Sequence, residues 1–168
     1  MDIQLKFTEK KDYEAFKKDV RDVFSLASHG EAIPEEDIKE SLYAPQGQVY
    51  DIYWKGAKVG GVVLRIDSIS GRGALDLFYI YSEFHSKGIG TAVWELVEKT
   101  YPETKIWELV TPYFEKRNIH FYVNKCGFHI VEFFCKFHRD SHAGESKTES
   151  AEEFFRFEKH MTIDIEEV

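Results

Sequence analysis

The sequence predicts a mixed α/β fold, and three features carry that expectation. A β-hairpin pattern runs from Gln48 to Ile66 around Lys55-Gly56-Ala57. An amphipathic helix, Gly88 to Tyr101, stands between two apolar strand patterns. The last third of the chain is rich in Phe and Tyr, as strands with buried faces are. At 168 residues, the whole chain, 1–168, fits one domain able to bury a core without staples.

Ile3 to Phe7 alternates apolar and polar side chains as a strand does, and Thr8 offers an N-cap to the helix after it. Tyr13, Phe16, Val20, Val23 and Phe24 recur at three- and four-residue steps, one stripe of a helix ending near Ser28-His29-Gly30. Pro34 opens a second, shorter helix with Glu35, Glu36 and Asp37 in its first turn, where the helix dipole favours negative charge. The hairpin strands, Gln48 to Trp54 and Lys58 to Ile66, come next. A polar link, Asp67 to Gly73, leads to Ala74–Tyr81, whose near-continuous apolarity suits a central strand covered on both faces.

In the helix Gly88 to Tyr101, Ile89, Ala92, Val93, Leu96 and Val97 share one face, and Tyr101-Pro102 stops it. Lys105 to Val110 is the following strand. The helix before it implies a parallel pairing with Ala74–Tyr81 in a right-handed βαβ unit. Asn118 to Lys125 reads as a short helix closed by Gly127. Phe128–Arg139 and Phe154–Asp164 are aromatic strands, joined by Asp140–Glu153, whose composition is that of an exposed, mobile loop.

The formal charge of −8 opposes non-specific attraction to nucleic acid and anionic lipid, so neither is expected as a partner. No segment resembles a signal peptide or a membrane span, and Cys126 and Cys135 form no disulfide framework, which together imply a cytoplasmic protein. His138 and His142 have i, i+4 spacing without a flanking zinc motif, so no metal is expected. No Gly-x-Ser-x-Gly elbow or Cys-His signature marks a covalent nucleophile.

The segment His85-Ser86-Lys87-Gly88-Ile89-Gly90-Thr91-Ala92 sits where a buried strand turns into an amphipathic helix. The first helical N–H groups lack intrahelical partners and lie at the positive end of the dipole, so a diphosphate could accept several hydrogen bonds there. Gly88 and Gly90 leave room for its approach, and Lys87 adds positive charge. Val93 stands where a dinucleotide fingerprint needs its third glycine, and no Gly-Lys-Ser/Thr end marks a nucleoside-triphosphate loop. A glycine-softened helix start with no ligand explains the same letters.

Tyr79-Ile80-Tyr81-Ser82-Glu83-Phe84-His85-Ser86-Lys87-Gly88-Ile89-Gly90 resembles the acetyl-CoA motif of GNAT superfamily N-acetyltransferases, a strand followed by Gln/Arg-x-x-Gly-x-Gly/Ala. Asn118-Ile119-His120-Phe121-Tyr122-Val123-Asn124-Lys125-Cys126-Gly127-Phe128 resembles that family's downstream motif. The resemblance covers Gln48 to Val131. It implies a mixed, mostly antiparallel central sheet of about seven strands with a splayed central parallel pair, flanked by about four helices. It also implies that main-chain amides of Lys87, Gly88, Gly90 and Thr91 hold the pyrophosphate of CoA. Phe78 and Ile80 would pair through their main chain with the pantetheine amides, Asn118 would bond the pantetheine arm, and Tyr122 would face the sulfur. His85 stands where Gln or Arg is usual, and Ser86 where Gly is common, so this chain departs from the pattern at those two cofactor positions.

Acetyl transfer from a thioester to an amine needs a neutral nucleophile and a proton for the departing thiolate. An ammonium like that of lysine, pKa about 10.4, must first lose its proton. Attack then proceeds directly in a ternary complex. Tyr122 is the candidate donor to the thiolate: a phenol near 10 beside a thiol near 8.5 is expected to make a transfer that is downhill or level. For the base, Ala74 occupies the place where some family members carry a glutamate. The candidates are Asp76, which strand alternation puts on the same face as Ala74, and Glu31 between the first helices. Surface or capping roles explain either carboxylate equally.

The acceptor is expected between the first helices and the late loop. There Glu31, Glu35, Glu36 and Asp37 suit a cationic small-molecule or peptide amine, although helix-start acidity accounts for the same cluster. Two other readings stand beside catalysis: a catalytically silent acyl-CoA-binding sensor or interaction domain, and an α/β domain that binds no nucleotide. The aromatic C-terminal strands could pair across a two-fold axis to give a homodimer.

Overall fold

The turn Lys55-Gly56 shows how locally the fold begins: both residues have positive φ, 51° and 78°, as a two-residue type I′ hairpin requires. In the computed structural model, which describes residues 1–27, 33–141 and 153–162, this turn joins strands β2 (Gly47–Trp54) and β3 (Ala57–Asp67). The chain divides into two compact units, Met1–Lys105 and Ile106–Val168.

In the first unit β1 (Ile3–Phe7), β2, β3 and β4 (Arg72–Ile80) pair antiparallel in chain order. Helices α1 (Tyr13–Ala27) and α2 (Glu35–Leu42) pack on this sheet through Phe16, Val20, Ile38 and Leu42, which meet Val49, Val63, Leu77 and Tyr79 in one core. The stripe read from the sequence is therefore the buried face of α1. Gly61 makes the contact possible: a Cβ there would lie 2.4 Å from the Phe16 ring and 2.6 Å from that of Tyr79. Helix α3 (Ile89–Thr100) buries Ile89, Val93, Trp94 and Val97.

Thr8 is not a helix cap. Its N–H donates to the Val49 carbonyl at 2.9 Å, so its backbone is still held by the sheet, and α1 is entered through a 3-10 turn, Lys10–Asp12, without a side-chain cap. The start of α2 agrees with the sequence, with Pro34 ahead of Glu35, Glu36 and Asp37.

In the second unit β7 (Phe154–His160) lies between β5 (Ile106–Pro112) and β6 (His129–Phe134), antiparallel to both. Alternation divides its faces. Phe157 is fully buried and pairs with Leu109, while Arg156 on the other face reaches Glu132 at 2.7 Å and Glu158 at 2.5 Å. The expected end of the first helix at Ser28-His29-Gly30, most of the joiner Asp140–Glu153, His142 and the last residues of the expected final strand lie outside the described residues.

Candidate active site

The middle of β4 does not alternate strictly. Val63 pairs with Leu77 and Leu64 with Leu75, so Leu75 and Asp76 together occupy the place of one β3 residue, a β-bulge. The alternation that was to put Ala74 and Asp76 on one face therefore does not run unbroken. The Asp76 carboxylate accepts a hydrogen bond from Arg65 Nε at 2.6 Å, an ion pair that no spacing in the sequence announced.

Beyond the bulge the strand is regular again, and its hydrogen bonds fix where its polar groups point. Tyr81 N–H donates to the Val59 carbonyl at 2.9 Å, toward β3. By alternation, the main-chain groups of Ile80 and Phe78 point to the edge of β4 away from β3. These are the two residues expected to pair with pantetheine.

The chain then reverses through a 3-10 turn, Ser82–Phe84, and enters α3. Ser86 has φ 61° and Gly88 φ 76°. The first accounts for glycine being common at that place in the family pattern, since a left-handed backbone is strained in a residue with a Cβ. Gly88 is the N-cap of α3, and Ala92 N–H bonds its carbonyl at 3.2 Å. The amides ahead of Ala92, those of Gly90 and Thr91 included, precede the helix's own ladder. No acidic residue stands in the first turn of α3, in contrast to α2, so nothing there offsets the positive end of the dipole. Lys87 is exposed beside it, and His85 Nε2 lies 2.7 Å from the Ile80 carbonyl oxygen.

Asn118 and Tyr122 belong to the second unit. Asn118 is half-buried on the short helix α4 (Lys116–His120), which widens into a π-helical turn, Phe121–Lys125, rather than continuing as one helix. The widening comes from Cys126 N–H, which bonds the Phe121 carbonyl at 3.1 Å, and Phe128 N–H then bonds that of Tyr122 at 2.9 Å across Gly127 with φ 82°. Tyr122 is buried, its ring edge-on to Phe128 at 5.8 Å. Burial, with Cys126 adding to it, pushes the Tyr122 phenol above its ordinary pKa. This corrects the direction expected for proton transfer: a phenol near 10 is a weaker acid than a thiol near 8.5, so handing a free thiolate a proton is uphill already at ordinary values, and the raised phenol makes it more so.

Among the acidic residues expected near an acceptor, Glu35 is already paired with Lys17 at 2.7 Å and lies 3.5 Å from Arg21, both on α1. Lys17 is the main cause that holds the Glu35 carboxyl below its ordinary range. Helix-start acidity balanced by α1 thus accounts for Glu35 without a ligand, and Glu31 lies outside the described residues.

One polar group escaped the sequence reading. Asp19 on α1 receives the Tyr81 hydroxyl at 2.6 Å, with Tyr79 Oη and Lys58 Nζ each at 3.4 Å, while Lys58 Nζ is also 3.0 Å from Asp51. Its members are scattered along the chain, and only the shared face of Tyr79 and Tyr81 could have hinted at it.

Comparison with known proteins places these observations. The pattern of the Acetyltransferase (GNAT) family matches residues 13–128. The chain is 46% identical over 159 residues to the uncharacterized protein YrkN of Bacillus subtilis (strain 168), covering 91% of this chain and 86% of that one. Among solved structures it is similar to the ribosomal-protein-S18-alanine N-acetyltransferase from Escherichia coli, at 11% identity and a TM-score of 0.70 over 99% of each chain. It is also similar to spermidine N-acetyltransferase from Vibrio cholerae in complex with CoA and spermine, at 12% identity and a TM-score of 0.67 over 94% of this chain and 95% of that one. These likenesses show the fold: a mixed, mostly antiparallel sheet with one parallel pair and flanking helices, as the sequence led us to expect. With the match running from the start of α1 to Phe128, the chain is an acyltransferase and belongs to the Acetyltransferase (GNAT) family.

Proposed function

We propose that the chain, acting as one catalytic domain over 1–168, transfers acetyl from acetyl-CoA to a primary amine by direct attack in a ternary complex. The observation that carries this reading is the α3 start: amides ahead of the helical ladder, a left-handed Gly88 and no acidic residue in the first turn, directly after a strand whose Phe78 and Ile80 main chain faces away from β3.

In this reading the amides of Lys87, Gly88, Gly90 and Thr91 take the pyrophosphate, with His85 and Ser86 shaping the loop ahead of them. Phe78, Ile80 and Asn118 hold the pantetheine arm. The amine nitrogen attacks the thioester carbon, a C–N bond forms, and the C–S bond breaks as Tyr122 donates a hydrogen bond to the sulfur. Asp76 is committed to Arg65, which leaves Glu31 or a water chain to take the amine's proton. The acceptor class is a small-molecule or peptide amine. The two described cysteines are free, which suits a cytoplasmic protein.

Calorimetry with acetyl-CoA, followed by thiol release across a panel of primary amines, tests the reading. Binding with amine-dependent thiol release is expected. Binding without release would favour an acyl-CoA sensor, and no heat at millimolar coenzyme would end both.

A further inference from the structure

We infer that His85 is a positioning residue, whose imidazole N–H holds the Ile80 carbonyl and so sets the loop that aims the α3 amides. The inference rests on the reading of function above. The loop from Tyr81 to Gly88 must reverse the chain in few residues, and its main-chain bonds end early: Phe84 N–H to the Tyr81 carbonyl at 2.9 Å and His85 N–H to that of Ser82 at 3.1 Å. After His85 come two left-handed residues, Ser86 and Gly88, the first strained by its side chain. His85 Nε2, 2.7 Å from the Ile80 oxygen, folds the loop back on the end of β4 just ahead of those residues.

A carbonyl oxygen can only accept, so Nε2 carries the hydrogen, and the imidazole is held as that tautomer or as the cation. The same oxygen lies on the edge of β4 away from β3, where the pantetheine amide is proposed to bind. It has two lone pairs, of which His85 takes one. His85 thus ties the pyrophosphate end of the site to the pantetheine end through a single atom, and loop order established before binding is reflected in affinity.

The test compares His85→Ala, His85→Gln and His85→Asn, reading CoA binding by calorimetry and the KM for acetyl-CoA against kcat. A glutamine amide reaches the position of Nε2, whereas an asparagine amide stops at that of Nδ1. His85→Ala and His85→Asn are expected to weaken CoA about tenfold and raise KM with kcat at saturation kept, while His85→Gln stays within about twofold of the parent. Nitrogen-15 NMR of the parent protein is expected to show a protonated Nε2. Equal affinities in all three variants, or an imidazole protonated at Nδ1 alone, would overturn the inference. If His85→Ala does not fold, the Gln and Asn pair and the imidazole spectrum still decide it. A parent protein that binds no CoA would overturn the proposed function instead, and the spectrum would still decide the bond.

Discussion

Tyr81 donates its phenolic hydrogen to Asp19 across 2.6 Å, joining the end of β4 to α1 beside the Lys58 ammonium. Asp19→Ala removes the acceptor for that phenol and leaves Lys58 facing Asp51 alone. A loss of about 2 kcal/mol is expected in denaturant unfolding, with Tyr81→Phe costing about 1 kcal/mol. An unchanged midpoint in Asp19→Ala would mean that the cluster is solvated and contributes nothing.

The same cluster sets an alkaline limit. Burial first, then Asp19, raises the pKa of the Tyr79 and Tyr81 phenols, and burial raises that of Tyr122. For Lys58, burial is the largest single effect and would lower its pKa, but Asp51 and then Asp19 leave it raised. Each group holds its proton more firmly folded than unfolded. Its contribution is therefore whole below the ordinary value, about 10 for a phenol and about 10.4 for lysine, and is lost as pH climbs through the folded value. Thermal midpoints should be insensitive to these groups up to about pH 9 and fall above about pH 10. Phenolate absorbance from the three tyrosines should appear only with unfolding. Titration of all three within the folded chain would contradict this.

Asp76→Asn separates structure from chemistry on β4. With the carboxylate serving as Arg65's partner, acetyl transfer at saturating substrates is expected to stay within about threefold of the parent, and stability to drop by up to about 1 kcal/mol. A hundredfold fall in kcat with intact binding would return Asp76 to the role of base.

Tyr122→Phe keeps the ring that packs edge-on to Phe128 and removes only the hydroxyl. CoA affinity and unfolding should change little, while kcat falls about ten- to a hundredfold. Unaltered turnover with the best amine would remove Tyr122 from the mechanism.

How much was legible depends on how far apart the deciding contacts lie. The Lys55-Gly56 turn, the apolar stripe of α1 and the strand-to-helix passage around Gly88 could be read because each rests on a few consecutive residues and on a repeat of two or about 3.6. The family resemblance rested on those same local patterns. Thr8 was misread because the sheet holds it, through Val49 41 residues further on, so the cap position falls on Glu9 and the Thr8 hydroxyl bonds no helical N–H.

The chain's letters were enough to establish most element types, their order and the family, and they pointed to the start of α3 as a place for an anion, since each of these comes from periodicity and backbone chemistry over short stretches. Tertiary structure decided the bulge that upsets alternation at Asp76, the claim of Arg65 on that carboxylate, the π-helical turn that carries Tyr122, the Asp19 cluster and the hold of His85 on Ile80. These depend on register and on side chains meeting in three dimensions, and the energies that choose among them come from burial and pairing, which a linear pattern does not encode.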